Sequence, residues 1–291
     1  MKIIEFRTHA KSRSDVFFLI PLGDVHLGTK NCDEDKLQEI IDWIKPRKNI
    51  YWLGMGDYCE YINYTDKRFD PGNLAPWAQD KLDDLYKTQS RKFIEYIMPI
   101  ADRCMGLLEG NHERTIRKRY HFNVTDYIVE GLNDHIGKQA IENLSYVCMI
   151  RWVFSRSGGK KQSTQSVIIY ATHGFGAGKY AGGKVNNLLN IGKDFEAQIY
   201  LAGHTHEKVG IDRDMLYLTH SGTPRLVARK KVYAITGTFY KAYEVDSTSY
   251  AEARGYPPTP TGVVKIRIEP FNCELLDGKR VEQPPHIHIS E

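Results

Sequence analysis

The sequence predicts an α/β fold of two packed mixed β-sheets flanked by helices, and three observations carry that prediction. Short β-rich runs recur along the chain, and each of five ends in a polar loop bearing Asp, His or Asn. A run of helical, amphipathic spacing separates the first two of these strands. From Ser145 onward the β signal strengthens, which supplies the strands of a second sheet.

The first strand is Phe17-Phe18-Leu19-Ile20-Pro21-Leu22, which leads into Gly23-Asp24-Val25-His26. The apolar run from Val16 to Leu22 is too short to span a membrane and lacks a small-residue cleavage site, so it reads as a buried strand. Leu37, Ile40, Ile41 and Ile44 then follow the i, i+3, i+4, i+7 spacing of a helix packed on a sheet. Ile50-Tyr51-Trp52-Leu53, running into Gly54-Met55-Gly56-Asp57, completes a βαβ unit. Pro76 to Ala101 is expected as one long helix or two shorter ones, and Val124 to Gly137 as another. Between them Cys104 to Leu108 is a strand ending in Glu109-Gly110-Asn111-His112-Glu113. The chain therefore reads as one domain, 1–291, with a helical elaboration over about 61–145 and a β-rich extension over about 226–291.

In the second half, Val167 to Tyr170 runs into Ala171-Thr172-His173-Gly174, and Gln198 to Ala202 runs into Gly203-His204-Thr205-His206. Tyr146 to Phe154, Met215 to Thr219 and Val263 to Ile268 are further strands, with Gly255 to Gly262 a rigid loop before the last. His286 and His288 are expected on an exposed tail. Five scattered cysteines without a CxxC pair fit reduced thiols and a cytoplasmic protein, and no membrane association is expected. The formal net charge of +4 is a mild bias that suits an anionic substrate. Gly178 to Lys184 has the GxxxxGK spacing, but Val185 stands where a P-loop needs a hydroxyl, so a nucleotide-binding P-loop is rejected.

Strand-end loops of open α/β sheets collect ligands, and Asp, His and Asn are ligands for borderline divalent metals. Alternation in Asp24-x-His26 and His204-x-His206 is expected to put both side chains of each pair on one side. The ordered set Asp24/His26, Gly56-Asp57, Gly110-Asn111-His112-Glu113, His173-Gly174 and Gly203-His204-Thr205-His206 resembles the calcineurin-like metallophosphoesterase family over roughly residues 17 to 224. Ser221-Gly222-Thr223-Pro224 also looks like the family's strand and turn after its last motif.

The resemblance implies a four-layer sandwich and two divalent metal ions, Mn²⁺ first, with Fe and Zn²⁺ also compatible. It implies that Asp24, His26 and His206 hold one ion, that Asn111, His173 and His204 hold the other, and that Asp57 bridges them. By the same resemblance, a metal-bridging hydroxide would make the in-line attack and His112 would protonate the leaving group as general acid, which makes Asp57 and His112 the expected catalytic residues. Glu60, three residues after Asp57, is a candidate to orient His112, although Tyr61 replaces the arginine that follows in the phosphoprotein phosphatase branch. Lys179, Lys184 and Arg114 are candidate substrate contacts.

Substrate choice is expected to live in the elaborations. Arg114, Arg117, Lys118 and Arg119, with the aromatic series Tyr58, Tyr61, Tyr64, Phe69 and Trp77, favour a phosphodiesterase or nuclease whose partner is a nucleic acid. The alternatives are a phosphomonoesterase and a non-catalytic metal- or nucleic-acid-binding module. Tyr250 to Pro260 resembles a tail of phosphoesterases of phage and prophage origin, which leans toward nucleic acid. Oligomeric state stays open.

Overall fold

The computed structural model describes residues 1–290 except 159–160, 177–179, 220–222, 246–248 and 277–278. The chain opens with β1 (Lys2–Ala10) and β2 (Phe17–Leu22), then α1 (Glu34–Ile44) and β3 (Ile50–Gly54). An irregular stretch precedes α2 (Leu85–Ile97), β4 (Cys104–Leu107), α3 (Asn111–Tyr120) and α4 (Val124–Ile136). The second half runs through β5 (Val147–Gly158), β6 (Lys161–Thr172), α5 (Ala181–Asp194), β7 (Ile199–Ala202), β8 (Lys208–Leu218) and β9 (Leu226–Thr238). It closes with α6 (Tyr250–Arg254), β10 (Gly262–Val263), β11 (Lys265–Glu269), β12 (Asn272–Leu276), β13 (Lys279–Gln283) and β14 (His286–Ser290).

One sheet has the order β14-β11-β2-β3-β4, and the other β1-β5-β6-β7-β9-β10 with β8 paired to β9. Both are mixed: β2, β3 and β4 run parallel while β11 and β14 are antiparallel. Period-2 alternation divides each strand between two layers. Phe17 and Leu19 of β2 point into the seam between the sheets, where they join Ile150, Trp152 and Ile169. Ile20 and Leu22 point outward and pack with α1, α2 and α4 through Leu37, Ile41, Phe93, Ile97 and Ile128. On the far side, Tyr170, Tyr200 and Tyr233 lie under Leu188 of α5. These four layers are the expected sandwich.

Local chemistry sets the helix ends. Asp33 caps α1 by accepting from the Lys36 amide at 3.2 Å, and Gly137 closes α4 in a left-handed turn at φ 68°. The long helix expected over 76–101 is reduced to α2 flanked by 3-10 turns at Pro76–Ala78, Leu82–Asp84 and Met98–Arg103. Pro76 and Pro99 limit it at either end, and Asp80, Asp83 and Asp84 are residues whose short polar side chains compete with helical backbone bonds. The C-terminal segment is likewise no tail. His286 and His288 alternate with buried Ile287 and Ile289 on β14, so burial of the isoleucines makes it a sheet strand. Among the described residues, no helix is long and apolar enough to cross a membrane.

Ile41 is fully buried between α1 and the first sheet. Ile41→Ala is expected to lower the unfolding free energy by about 2–5 kcal/mol in urea titration. A midpoint equal to wild type would show that α1 does not pack on the sheet as described.

Candidate metal centre

The loops at the strand ends leave their strands through left-handed backbone. φ is 47° at Asp24, 51° at His26, 51° at Asp57, 69° at His204 and 55° at His206. Residues with a Cβ occupy that region at a cost on the order of 1 kcal/mol or more each, so surrounding packing must hold them there. The strand-like alternation expected for the two x-separated pairs is therefore absent. Asp24 and His26 still share a cluster, but His204 and His206 divide between two.

One cluster joins Asp24, His26 and His206, with His26 Nε2 3.0 Å from His206 Nε2 and His206 Nε2 3.6 Å from Asp24 Oδ1. The other joins Asp57, His173 and His204. Asn111 Oδ1 lies 2.9 Å from His173 Nε2, and Asp57 Oδ2 lies 3.2 Å from the same nitrogen. All seven expected ligands are thus gathered. Glu60, His26 and His112 form a third group, which the motif reading did not separate.

The loops are locked by backbone bonds to buried carboxylates. Glu113 Oε2 accepts from the Asp57 amide at 2.9 Å and the Gly110 amide at 2.8 Å, while Oε1 accepts from the Tyr58 amide at 2.8 Å. Asp57 Oδ1 accepts from the His112 amide at 2.9 Å, in the first turn of α3, and Asp24 Oδ2 accepts from the His204 amide at 2.8 Å. Close approach requires glycine. A Cβ on Gly56, at φ 89°, would sit 2.6 Å from the Gly110 nitrogen, and one on Gly110 would sit 2.2 Å from Asp57 Oδ1.

Three imidazoles are oriented by acceptors. His173 Nδ1 donates to the Met55 carbonyl at 2.8 Å, His112 Nδ1 donates to the Glu60 carbonyl, and His26 Nδ1 donates to the Glu60 carboxylate at 2.8 Å. A carbonyl can only accept, so the Nδ1 atoms of His112 and His173 carry the proton and Nε2 is left for the site. Glu60 therefore serves two rings: its carboxylate orients His26, and its backbone orients His112.

The charges are divided sharply. Burial disfavours the His26 imidazolium, yet Glu60, Asp57 and Asp24 outweigh it and hold the ring up to about 9. His173 is likewise disfavoured by burial but is raised to about 10, chiefly by Asp57. Burial and the His173 charge depress His204 to about 4, and burial with the His26 charge depresses His206 well below its ordinary range. Burial raises Asp24, whereas Asp57, although buried, is pulled well below the carboxylate range by His173 and His112.

Asp24 Oδ1 is buried with no hydrogen-bond partner among the described residues. An orphaned carboxylate oxygen beside two imidazole nitrogens that face each other at 3.0 Å is the donor set of a cation site. The calcineurin-like phosphoesterase family model matches residues 20–208. This chain belongs to that family. Calcineurin-like phosphoesterases use divalent metals, and the two clusters are candidate ligand groups for them.

Solved structures resembling this calcineurin-like phosphoesterase include Vps29 from Chaetomium thermophilum, at 9% identity and TM-score 0.35, covering 94% of this chain and 95% of that one. A metallophosphoesterase from Sphaerobacter thermophilus shows 13% identity and TM-score 0.35 over 95% and 89%. A single mutant of Vps29 from Entamoeba histolytica shows 12% and 0.30 over 92% and 99%. Scores this low carry no argument about function. No curated protein sequence matches the chain.

The clusters open into a cleft of about 340 Å³. Lys184 reaches it from α5, but its Nζ donates to the Thr205 carbonyl at 2.9 Å and to Glu207 at 2.8 Å, so it props the His204–His206 loop. Arg114 is exposed on α3 with its guanidinium 5.8 Å from the Tyr146 ring, away from the cleft lining. Arg117 pairs with Glu109 and Arg119 with Asp66. Of the aromatic series, Tyr58 and Tyr61 are buried, Trp77 donates to Glu34, Tyr64 is exposed, and Phe69 lines the cleft. Lys179, Ser221 and Gly222 lie outside the described residues. Sequence reasoning missed Arg68 and Tyr240 in the cleft lining, because no motif or periodicity marks them, and it singled out the segment Tyr250 to Pro260 without assigning Tyr256 a place in the site. It quoted Glu113 without a role, although a Glu at the third position of a helix is a capping signal.

A cation binding these clusters must displace the ring protons of His26 and His173, which persist up to about 9 and about 10. Affinity for Mn²⁺ is thus expected to rise with pH between about 6 and about 8.5, by about a decade per pH unit for each proton displaced. Calorimetric titration in buffers of different ionisation enthalpy reads both the slope and the proton release. A pH-independent affinity would contradict this charge assignment.

Proposed function

We propose that this calcineurin-like phosphoesterase is a binuclear metal-dependent phosphoester hydrolase that cuts phosphodiesters, including nucleic acid. The observation that carries the reading is convergence: seven ligand-type side chains and His112, delivered by both sheets, meet beside one cleft. Asp24, His26 and His206 would hold one divalent cation, Asn111, His173 and His204 the other, with Asp57 shared. Mn²⁺ suits this mix of oxygen and imidazole donors, as do Fe and Zn²⁺. When bound, the cations supply Lewis acidity and an activated water.

The protein's own part is orientation and proton transfer. His112 lines the cleft and is tethered through Nδ1 to a backbone carbonyl and through its amide to Asp57, so Nε2 is the free ring nitrogen. In the imidazolium form it is the atom that would give its proton to the departing oxygen, leaving the neutral Nδ1–H ring. Its ring meets the His26 ring edge-on at 4.8 Å, which places it beside the first cluster. A diester is preferred over a monoester because the cleft lining extends beyond the clusters to residues such as Phe69 and Tyr256, which supports a place for a second substituent on phosphorus.

With Mn²⁺ present, bis(p-nitrophenyl) phosphate is expected to turn over faster than p-nitrophenyl phosphate. His112→Ala should lower kcat by about 10²–10⁴-fold on a diester with an alkyl leaving group, and by less on a p-nitrophenyl ester, whose leaving oxygen needs no proton. Asp57→Asn should abolish turnover together with metal binding. Preference for the monoester would replace the diester reading, and metal binding with no turnover of either ester would sink the hydrolase reading.

A further inference from the structure

Two segments bring aromatic side chains into the cleft lining. The irregular stretch after Asp57 brings in Arg68 and Phe69. Phe69 packs on Leu74, Ala78 and Leu85, so its ring is fixed by an apolar cluster of its own while also lining the cleft. Arg68 is held by Asp66 through Nε and Nη2, both at 3.1 Å. Tyr240 and Tyr256, both beyond residue 208, where the family match ends, line the same cleft. The Tyr240 ring is 5.4 Å from that of His26 and 5.7 Å from that of His206, so this part of the lining begins at the metal cluster itself.

Tyr256 is fixed in place by its backbone. Its amide donates to the Ala251 carbonyl at 2.9 Å across the left-handed Gly255, and its carbonyl accepts from the Tyr243 hydroxyl at 2.8 Å. The run Pro257-Pro258 stiffens the chain that follows. An anchored Phe69 ring and a Tyr256 with a fixed backbone, lining one cleft with the metal-ligand candidates and the Arg68 guanidinium, are the parts of a stacking slot for a flat, polar-edged ring. A volume of about 340 Å³ falls at the small end of ligand pockets, which suits one nucleotide unit.

We infer that the cleft beside the metal centre is a nucleobase slot, lined by Phe69 and Tyr256, which selects phosphodiesters carrying a single unpaired nucleoside. This rests on the phosphodiesterase reading for its consequence, but the slot is a binding property and is tested as one. Phe69 and Tyr256 act on specificity, through the ring they stack against, and take no part in bond breaking.

The test is calorimetric binding of thymidine 5′-monophosphate against methyl phosphate to the Mn²⁺-loaded full chain, with bis(p-nitrophenyl) phosphate hydrolysis measured in parallel. The nucleotide is expected to bind at least about tenfold more tightly, the size of one base–aromatic stack. Phe69→Ala and Tyr256→Ala should each shrink that ratio, and Tyr256→Phe, which keeps the ring, should restore it. Equal affinities, a ratio unmoved by either alanine, or no nucleotide binding overturns the slot. Nucleotide preference without diester hydrolysis would instead overturn the phosphodiesterase reading and leave the slot standing, and hydrolysis without preference would do the reverse.

Discussion

The carboxylate of Glu113 is the contact on which the centre depends. It is buried and spends both oxygens on three backbone amides, those of Asp57, Tyr58 and Gly110, which belong to the loops after β3 and β4. Without an acceptor those amides would be buried donors, each costing about 1–3 kcal/mol. With it, the two loops become one rigid body. Asp57 can then hold a left-handed backbone and accept from His112, and Asn111 can lie beside His173 from the opposite sheet.

That rigidity makes a concentrated arrangement of charge tolerable. Three acidic groups and five imidazoles stand in a largely buried space, and in the protein alone the balance is struck with protons on His26 and His173. Those protons sit where divalent cations would place their charge, one in each cluster. Neighbouring His206 and His204 are kept neutral by the same fields, and neutral imidazole is the form that ligates metal. Part of the ligand set is therefore already in its metal-binding state, while the other part must be deprotonated on binding.

Around this centre the chain divides its labour. Residues 20–208, which match the calcineurin-like phosphoesterase family, supply the ligands, the Glu113 lock and the imidazole tethers. Segments between β3 and α2 and beyond β9 supply the cleft walls. The basic cluster on α3, which suggested a nucleic-acid backbone contact, is partly consumed by ion pairs with Glu109 and Asp66. The segment between β3 and α2 serves both the centre and the cleft, carrying Asp57 and Glu60 as well as Arg68 and Phe69 of the lining.

The five strands that end in ligand-bearing loops, the helix over 34–44 and the ligand residue types were legible in the sequence because period-2 and period-3.6 burial and chemically constrained loop motifs act over a few residues. By contrast, β1 ends in no such loop and β14 is a strand through its pairing with β11. Helix 124–136 was legible for the same reason, down to Gly137 as its stop. Tertiary structure decided what depends on residues far apart in the chain. The left-handed backbone that replaces strand-like alternation at His204 and His206 is enforced by neighbouring loops, and the attachment of the Glu60 carboxylate to His26, with its carbonyl serving His112, depends on three separate segments. The same holds for Lys184, whose charge is absorbed by Glu207, and for Phe69 facing a cleft it shares with Tyr256, 187 positions later. Local sequence determines which groups are present and which element carries them, while their partners are set by packing between sheets, which no local pattern encodes.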